Sequence, residues 1–178
     1  MLIILYNFKD MELIKYIRDV QDFPKKGILF KDISPLLANG KVLRYVIDRM
    51  AELSKDADII IGPDARGFLF GTPVASTLEK PFIMVRKPNK LPGEVVSMEY
   101  DLEYGTNTLE VQKGMIKPGQ KAVIIDDVLA TGGTTKAIIK LVESQGASVE
   151  KIVLLMELEE LNGREMLSPY KVESLIKI

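Results

Sequence analysis

The chain of 178 residues contains no cysteine and no histidine. These absences exclude disulfide scaffolds, thiolate nucleophiles, zinc sites of the usual ligand types and a histidine general base. Chemistry must come from carboxylates, lysines, arginines, tyrosines, backbone amides or a bound ion. An excess of either charge is also lacking: 24 Lys and Arg against 25 Asp and Glu give a net charge of −1. No general field draws the chain to nucleic acid or an anionic membrane, so any anion site must be local. Long hydrophobic runs are missing too. Met1-Leu2-Ile3-Ile4-Leu5-Tyr6 is apolar, but too short to span a bilayer, and it lacks the basic start and small-residue cleavage site of a signal peptide. No internal repeat, low-complexity segment or linker interrupts the chain.

The composition that remains, 47% hydrophobic and 28% charged, is that of a globular protein, expected to form one domain over 1–178 and to bury roughly 70% of its extended surface. Residues 1–10 precede a second methionine, Met11, and read as an extension; the cytoplasm is the expected compartment. Leu13, Ile14, Ile17 and Val20 recur at helical spacing and predict a first helix over about 11–20. Two prolines and a glycine then force an irregular segment over 22–37. Within it Leu29 and Phe30 are large and apolar; on residue type alone Phe30 is a core anchor, the alternative being a face on which a planar heterocycle stacks.

A helix is predicted over 42–53, and a buried parallel strand over 57–62 that ends in Gly62-Pro63-Asp64-Ala65-Arg66-Gly67. A glycine at each end and an arginine inside suit this loop to a polyanion such as pyrophosphate. Thr72 followed by Pro73 predicts the start of a helix running to about residue 79. The next strand is predicted over 81–87, with the two cations Arg86 and Lys87 at its end. Between 87 and 111 apolar density drops, and two strand-like pieces predict a flap or long loop beside the strand ends, of the kind that excludes water. Strand 151–156 and an edge strand over 172–176 complete the chain.

The most informative stretch is 121–135. Val123, Ile124 and Ile125 form a short β-branched run, Asp126 and Asp127 follow at its end, then Ala130-Thr131-Gly132-Gly133-Thr134, then a helix. Backbone N–H groups at a helix start lack intrahelical acceptors and carry partial positive charge, so a phosphate is favoured there. The two carboxylates repel phosphate but accept hydrogen bonds from sugar hydroxyls, or hold a divalent cation. The layout points to a phosphorylated sugar. It is neither a P-loop nor a Gly-x-Gly-x-x-Gly turn.

Together these residues resemble the signature of the type I phosphoribosyltransferases, which bind 5-phosphoribosyl-1-pyrophosphate. The resemblance implies an α/β fold: an open, mainly parallel twisted sheet flanked by helices, with an N-terminal hood (22–37) and a flexible flap (87–111). It extends through Arg66-Gly67-Phe68-Leu69-Phe70-Gly71, Lys90-Leu91-Pro92-Gly93, Leu102-Glu103-Tyr104-Gly105 and Asn162-Gly163-Arg164-Glu165, and it narrows to members that use adenine and make AMP and pyrophosphate.

Carried over by position, it places Asp126 and Asp127 on the ribose hydroxyls and Ala130, Thr131, Gly132, Gly133 and Thr134 on the 5′-phosphate. Arg66 and Lys87 fall on pyrophosphate, and Leu29, Phe30 and Arg66 on the base, which moves Phe30 from core to site. Arg66 and Glu103 are the catalytic candidates, Glu103 exchanging a proton with the purine; as a lone glutamate it reads as surface. Mg²⁺ is implied, bound mainly through substrate oxygens with no residue assigned as a metal ligand. Also implied are a cis peptide at Asp64–Ala65, a homodimer, and no nucleic-acid or membrane partner. Two alternatives stand beside this reading: transfer to another purine or a pyrimidine, and a non-catalytic sensor built on the same fold.

Overall fold

The computed structural model describes residues 11–101 and 106–178. The chain forms two compact units, 1–45 and 46–178.

In the first unit the predicted helix over 11–20 is absent. A single 3-10 turn, Leu13–Tyr16, is followed by strand β1 (Arg18–Gln21), which pairs antiparallel with β2 (Leu29–Asp32). Cross-strand partners override the helical spacing: Val20 faces Phe30, Arg18 binds Asp32 at 2.6 Å and Lys31 binds Asp19 at 2.8 Å, pairs that a helix could not form. The irregular segment bends through Asp22 in the left-handed region and a cis Phe23–Pro24 bond. Asp32 also accepts a hydrogen bond from the Ser34 N–H at the start of helix α1 (Ser34–Leu37). Its pKa is lowered to about 2, by Ser34 first and Arg18 second. A depressed carboxyl stabilises the fold above its unfolded value, and that contribution is lost as pH falls through about 2. Helix α2 (Gly40–Ser54) follows.

The second unit is organised by one five-stranded parallel sheet. Strands β3 (Ile59–Pro63), β4 (Phe82–Val85), β7 (Lys121–Leu129), β8 (Ser148–Glu157) and β9 (Val172–Lys177) lie in the order β4-β3-β7-β8-β9. β5 (Val95–Asp101) and β6 (Thr106–Gln112) form a separate antiparallel ribbon. Ile59, Ile60, Ile61, Ile124 and Ile125 are fully buried, as continuous apolar strands in a doubly covered parallel sheet must be, and each such side chain contributes about 1.5–3 kcal/mol. Lys151 donates to the Leu53 carbonyl at 2.7 Å, and Lys80 to the carbonyls of Lys55 and Ala57. Both cations satisfy acceptors at or just beyond the carbonyl end of α2.

Two local expectations are corrected here. Helix α3 runs Arg66–Thr77, starting straight after the β3 loop, with Pro73 inside it rather than at its start. Pro73 deprives the Leu69 carbonyl of its intrahelical donor, and residue Leu69 is exposed. Strand β7 does not stop at Ile125 but continues through both aspartates to Leu129, because its partner β8 keeps pairing, Asp126 with Leu154 and Val128 with Met156. The remaining sheet strands, the ribbon, helix α2 and the helix over Gly133–Glu143 fall where the sequence places them, whereas β2, α1 and a four-residue helix over Gly163–Met166 are not predicted by it.

Connections set the functional edge. β3 leads through α3 to β4 on one side, while β7 leads through helix α4 (Gly133–Glu143) to β8 on the other. The crossovers diverge between β3 and β7, and such a switch point opens a crevice beyond the C-terminal strand ends. Among the described residues no helix is long and apolar enough to cross a membrane.

Candidate active site

The crevice at the switch point is a cleft of about 240 Å³. Arg66, both aspartates and the whole of the 130–134 loop line it, as the sequence predicts; Asp64 and Thr135 join them. Lys87 is exposed just beyond β4 and lies outside this lining. Leu29 and Phe30 belong to the first unit. Leu29 is exposed, and Phe30 is half-buried, set edge-on to Phe23 with centroids 5.0 Å apart, so it is not the core anchor that residue type suggests. Glu103 lies outside the described residues.

Strand register positions the acids. Asp127 is 2% exposed while Asp126 keeps some solvent contact. Asp126 accepts a hydrogen bond from the Asp127 N–H at 2.9 Å. Arg66 Nε stands 3.0 Å from Asp127 Oδ2, but off the hydrogen-bond axis, so the contact is an ion pair and the buried Oδ2 still lacks a hydrogen bond. A buried acceptor in that state is costly. A ligand hydroxyl or cation in the cleft would satisfy it.

Both carboxyls are pushed above their ordinary pKa. For Asp126 burial is the leading cause and repulsion from Asp127 the next. For Asp127 burial again leads, opposed by Arg66. Raised carboxyls of this kind collect at functional clefts.

Opposite them, α4 opens on Gly132 with φ of 87°, a left-handed turn that a side chain resists. The N–H groups of the first turn, Gly133 to Thr135, have no intrahelical acceptor. The residues that carry them line the cleft. The pyrophosphate-type loop is held by Arg86, whose Nε donates to Asp64 at 3.1 Å and whose guanidinium sits 5.8 Å from the Phe68 ring centroid. The Asp64–Ala65 peptide is cis, as the resemblance implies.

Sequence reasoning treated Arg86 only as a strand-end cation and missed its role as a brace. It also missed Tyr100, whose hydroxyl on the flap ribbon lies 3.4 Å from the Thr134 hydroxyl; its place in a strand-like flap piece is the signal that could have found it. Together the cleft offers an anion seat, a pair of sugar-hydroxyl acceptors and an arginine beside one of them.

A model of the phosphoribosyl transferase domain matches residues 32–177. The adenine phosphoribosyltransferase of Mycoplasmopsis pulmonis is 71% identical over 168 residues, which is 94% of this chain and 99% of that protein. The crystal structure of adenine phosphoribosyltransferase from Thermoanaerobacter pseudethanolicus superposes with a TM-score of 0.90 at 51% identity, covering 94% of this chain and 98% of that one. The Saccharomyces cerevisiae enzyme, solved with D-2,5-dideoxy-2,5-imino-altritol 1,6-bisphosphate and adenine, gives 0.85 at 38% identity, covering 92% and 96%. Likeness of this extent reaches well past the cleft into the sheet that builds it, and the chain belongs to the phosphoribosyltransferase family.

Proposed function

We propose that this protein transfers the 5-phosphoribosyl group of phosphoribosyl pyrophosphate to adenine, giving AMP and pyrophosphate. The observation that carries the proposal is identity of 71% across nearly the full length of an adenine phosphoribosyltransferase. The cleft supplies the chemistry in agreement with it.

The 5′-phosphate sits on the 130–134 loop and the first turn of α4, where unpaired N–H groups and the helix dipole favour an anion. The ribose hydroxyls donate to Asp126 and Asp127, which fixes the sugar between its two phosphate ends. A purine nitrogen forms its bond to C1 as the C1–O bond to pyrophosphate breaks, with cationic character on the sugar and growing charge on the leaving group. Arg66 stands where it meets that charge. Lys87 extends the positive edge as the flap closes and excludes water, and Glu103 takes up the proton that the base nitrogen releases.

Hard carboxylate oxygens fit Mg²⁺, and among the described residues no group of three or more acids forms a dedicated metal cage. The ion is held mainly by substrate oxygens near Asp126 and Asp127. When bound, Mg²⁺ supplies charge neutralisation to the pyrophosphate. The assembly is a homodimer in the cytoplasm.

The choice of base is tested by following pyrophosphate release with each candidate base offered alone. Adenine is expected to turn over at least about 100-fold faster than guanine, hypoxanthine, xanthine or uracil. Faster turnover with any other base would overturn the adenine assignment.

A further inference from the structure

The segment Asn162-Gly163-Arg164-Glu165 lies outside the cleft lining, yet it touches the phosphate loop from behind. Gly163 opens the four-residue helix α5 (Gly163–Met166). A Cβ on Gly163 would fall 2.1 Å from the Ala130 carbonyl oxygen and 3.0 Å from the Leu129 side chain. On the same face, a Cβ on Gly132 would fall 2.9 Å from the Gly163 carbonyl oxygen and 3.2 Å from Met166. The backbones of loop and tail are therefore in direct contact at two glycines. Lys136, in the helix that the loop starts, adds a contact from Nζ to Met166 Sδ at 3.4 Å.

A helix of four residues cannot hold itself in place. Arg164 holds it: Nε and Nη2 bind the two oxygens of Glu157 at 2.9 and 2.6 Å, and Nη1 binds the Val172 carbonyl at 2.7 Å. Ser174 donates to the same carboxylate at 2.9 Å. Glu157, at the end of β8, is 4% exposed, and its pKa is lowered, by Arg164 first. Burying a charge pair adds little net stability even when its partners are complete, but it fixes geometry through the guanidinium's two-pronged fit.

We propose that Gly163 and the Arg164–Glu157 pair are positioning residues for the phosphate loop: they set the course of residues 130–132 and so the aim of the N–H groups that receive the 5′-phosphate. This rests on the loop being the 5′-phosphate seat. A displacement of about 1 Å at such a seat costs up to about 100-fold.

The test measures ribose 5-phosphate binding by calorimetry, together with KM for phosphoribosyl pyrophosphate and for adenine. Wild type, Gly163→Ala, Arg164→Lys and the control Val149→Ala are compared; Val149 is a buried residue at the opposite end of β8. Gly163→Ala and Arg164→Lys are expected to weaken ribose 5-phosphate and raise the KM of phosphoribosyl pyrophosphate by about 10-fold or more, with the KM of adenine within about 2-fold. Val149→Ala should lower the melting temperature and leave both affinities in place. Should Gly163→Ala fail to fold, Arg164→Lys decides alone, since it keeps the charge and loses the two-pronged fit to Glu157 together with the bond to the Val172 carbonyl. Ribose 5-phosphate affinity equal to wild type in the folded variants, or equal losses in Val149→Ala, would overturn the positioning role. Wild type that binds ribose 5-phosphate no better than ribose would overturn the loop assignment and the positioning role with it.

Discussion

Replacing Asp126 and Asp127 together by asparagine should lower kcat/KM for phosphoribosyl transfer by about 1000-fold while leaving the free protein at least as stable as wild type. Two charge-assisted hydrogen bonds to the ribose, at about 1.5–3 kcal/mol each, are lost or reversed in sense, and each 1.4 kcal/mol is about tenfold. The stability half follows from burial. Asp127 is 2% exposed and one of its oxygens lacks a hydrogen bond, so the empty cleft carries two neighbouring carboxyls that repel each other.

The pH dependence has a defined sign. Both pKa values are raised from 3.8 in the folded chain. The folded state therefore holds these protons more tightly than the unfolded one, and the contribution to stability is complete below about 4 and lost as pH rises through the folded values. Thermal melting of the ligand-free protein across that range should show this component, and the double asparagine variant should lack it. Affinity for phosphoribosyl pyrophosphate should rise over the same window, because its hydroxyls require the ionised pair. A double variant that retains transfer within about 10-fold of wild type would remove the pair from the mechanism.

The second large effect belongs to Arg66. Arg66→Met is expected to reduce kcat/KM by about 100- to 1000-fold, the usual consequence of deleting a charge aimed at a leaving group, and Arg66→Lys should recover part of it. Stability should also fall, because Asp127 loses its counter-charge. The loss should be smaller than the about 3–5 kcal/mol of a fully buried pair, since the Arg66 side chain is 38% exposed. Combining Arg66→Met with Asp127→Asn should restore stability without restoring turnover, and denaturant melts beside steady-state rates separate the two. Arg66→Met with unchanged kcat/KM would show that the arginine is present only to neutralise Asp127.

The cleft was legible in the sequence because its parts are short and consecutive. An apolar run, two acids, a Thr-Gly-Gly-Thr loop and a helix must fold as neighbours, and the Gly62 to Gly67 loop joins them because β3 and β7 pair in register, Ile59 with Ala122 and Ile61 with Ile124. What failed was decided by contacts distant in sequence. Residues 18–21 become a strand because Asp32 and Phe30 lie opposite them, information that helical spacing does not carry. Pro73 reads as a helix start, whereas α3 already begins at Arg66 and carries the proline on through an exposed Leu69 turn. The Gly163 contact with Ala130 joins residues 33 positions apart through backbone alone, and no residue pattern announces it.

The central claim is tested most directly by incubating the purified chain with adenine, phosphoribosyl pyrophosphate and Mg²⁺ and quantifying AMP and pyrophosphate together. The proposed activity predicts that both accumulate one for one, and that omission of adenine leaves pyrophosphate release slower by about 100-fold or more, because transfer as proposed keeps water from acting as the acceptor. Pyrophosphate release that is indifferent to adenine, or no AMP at all, would contradict it.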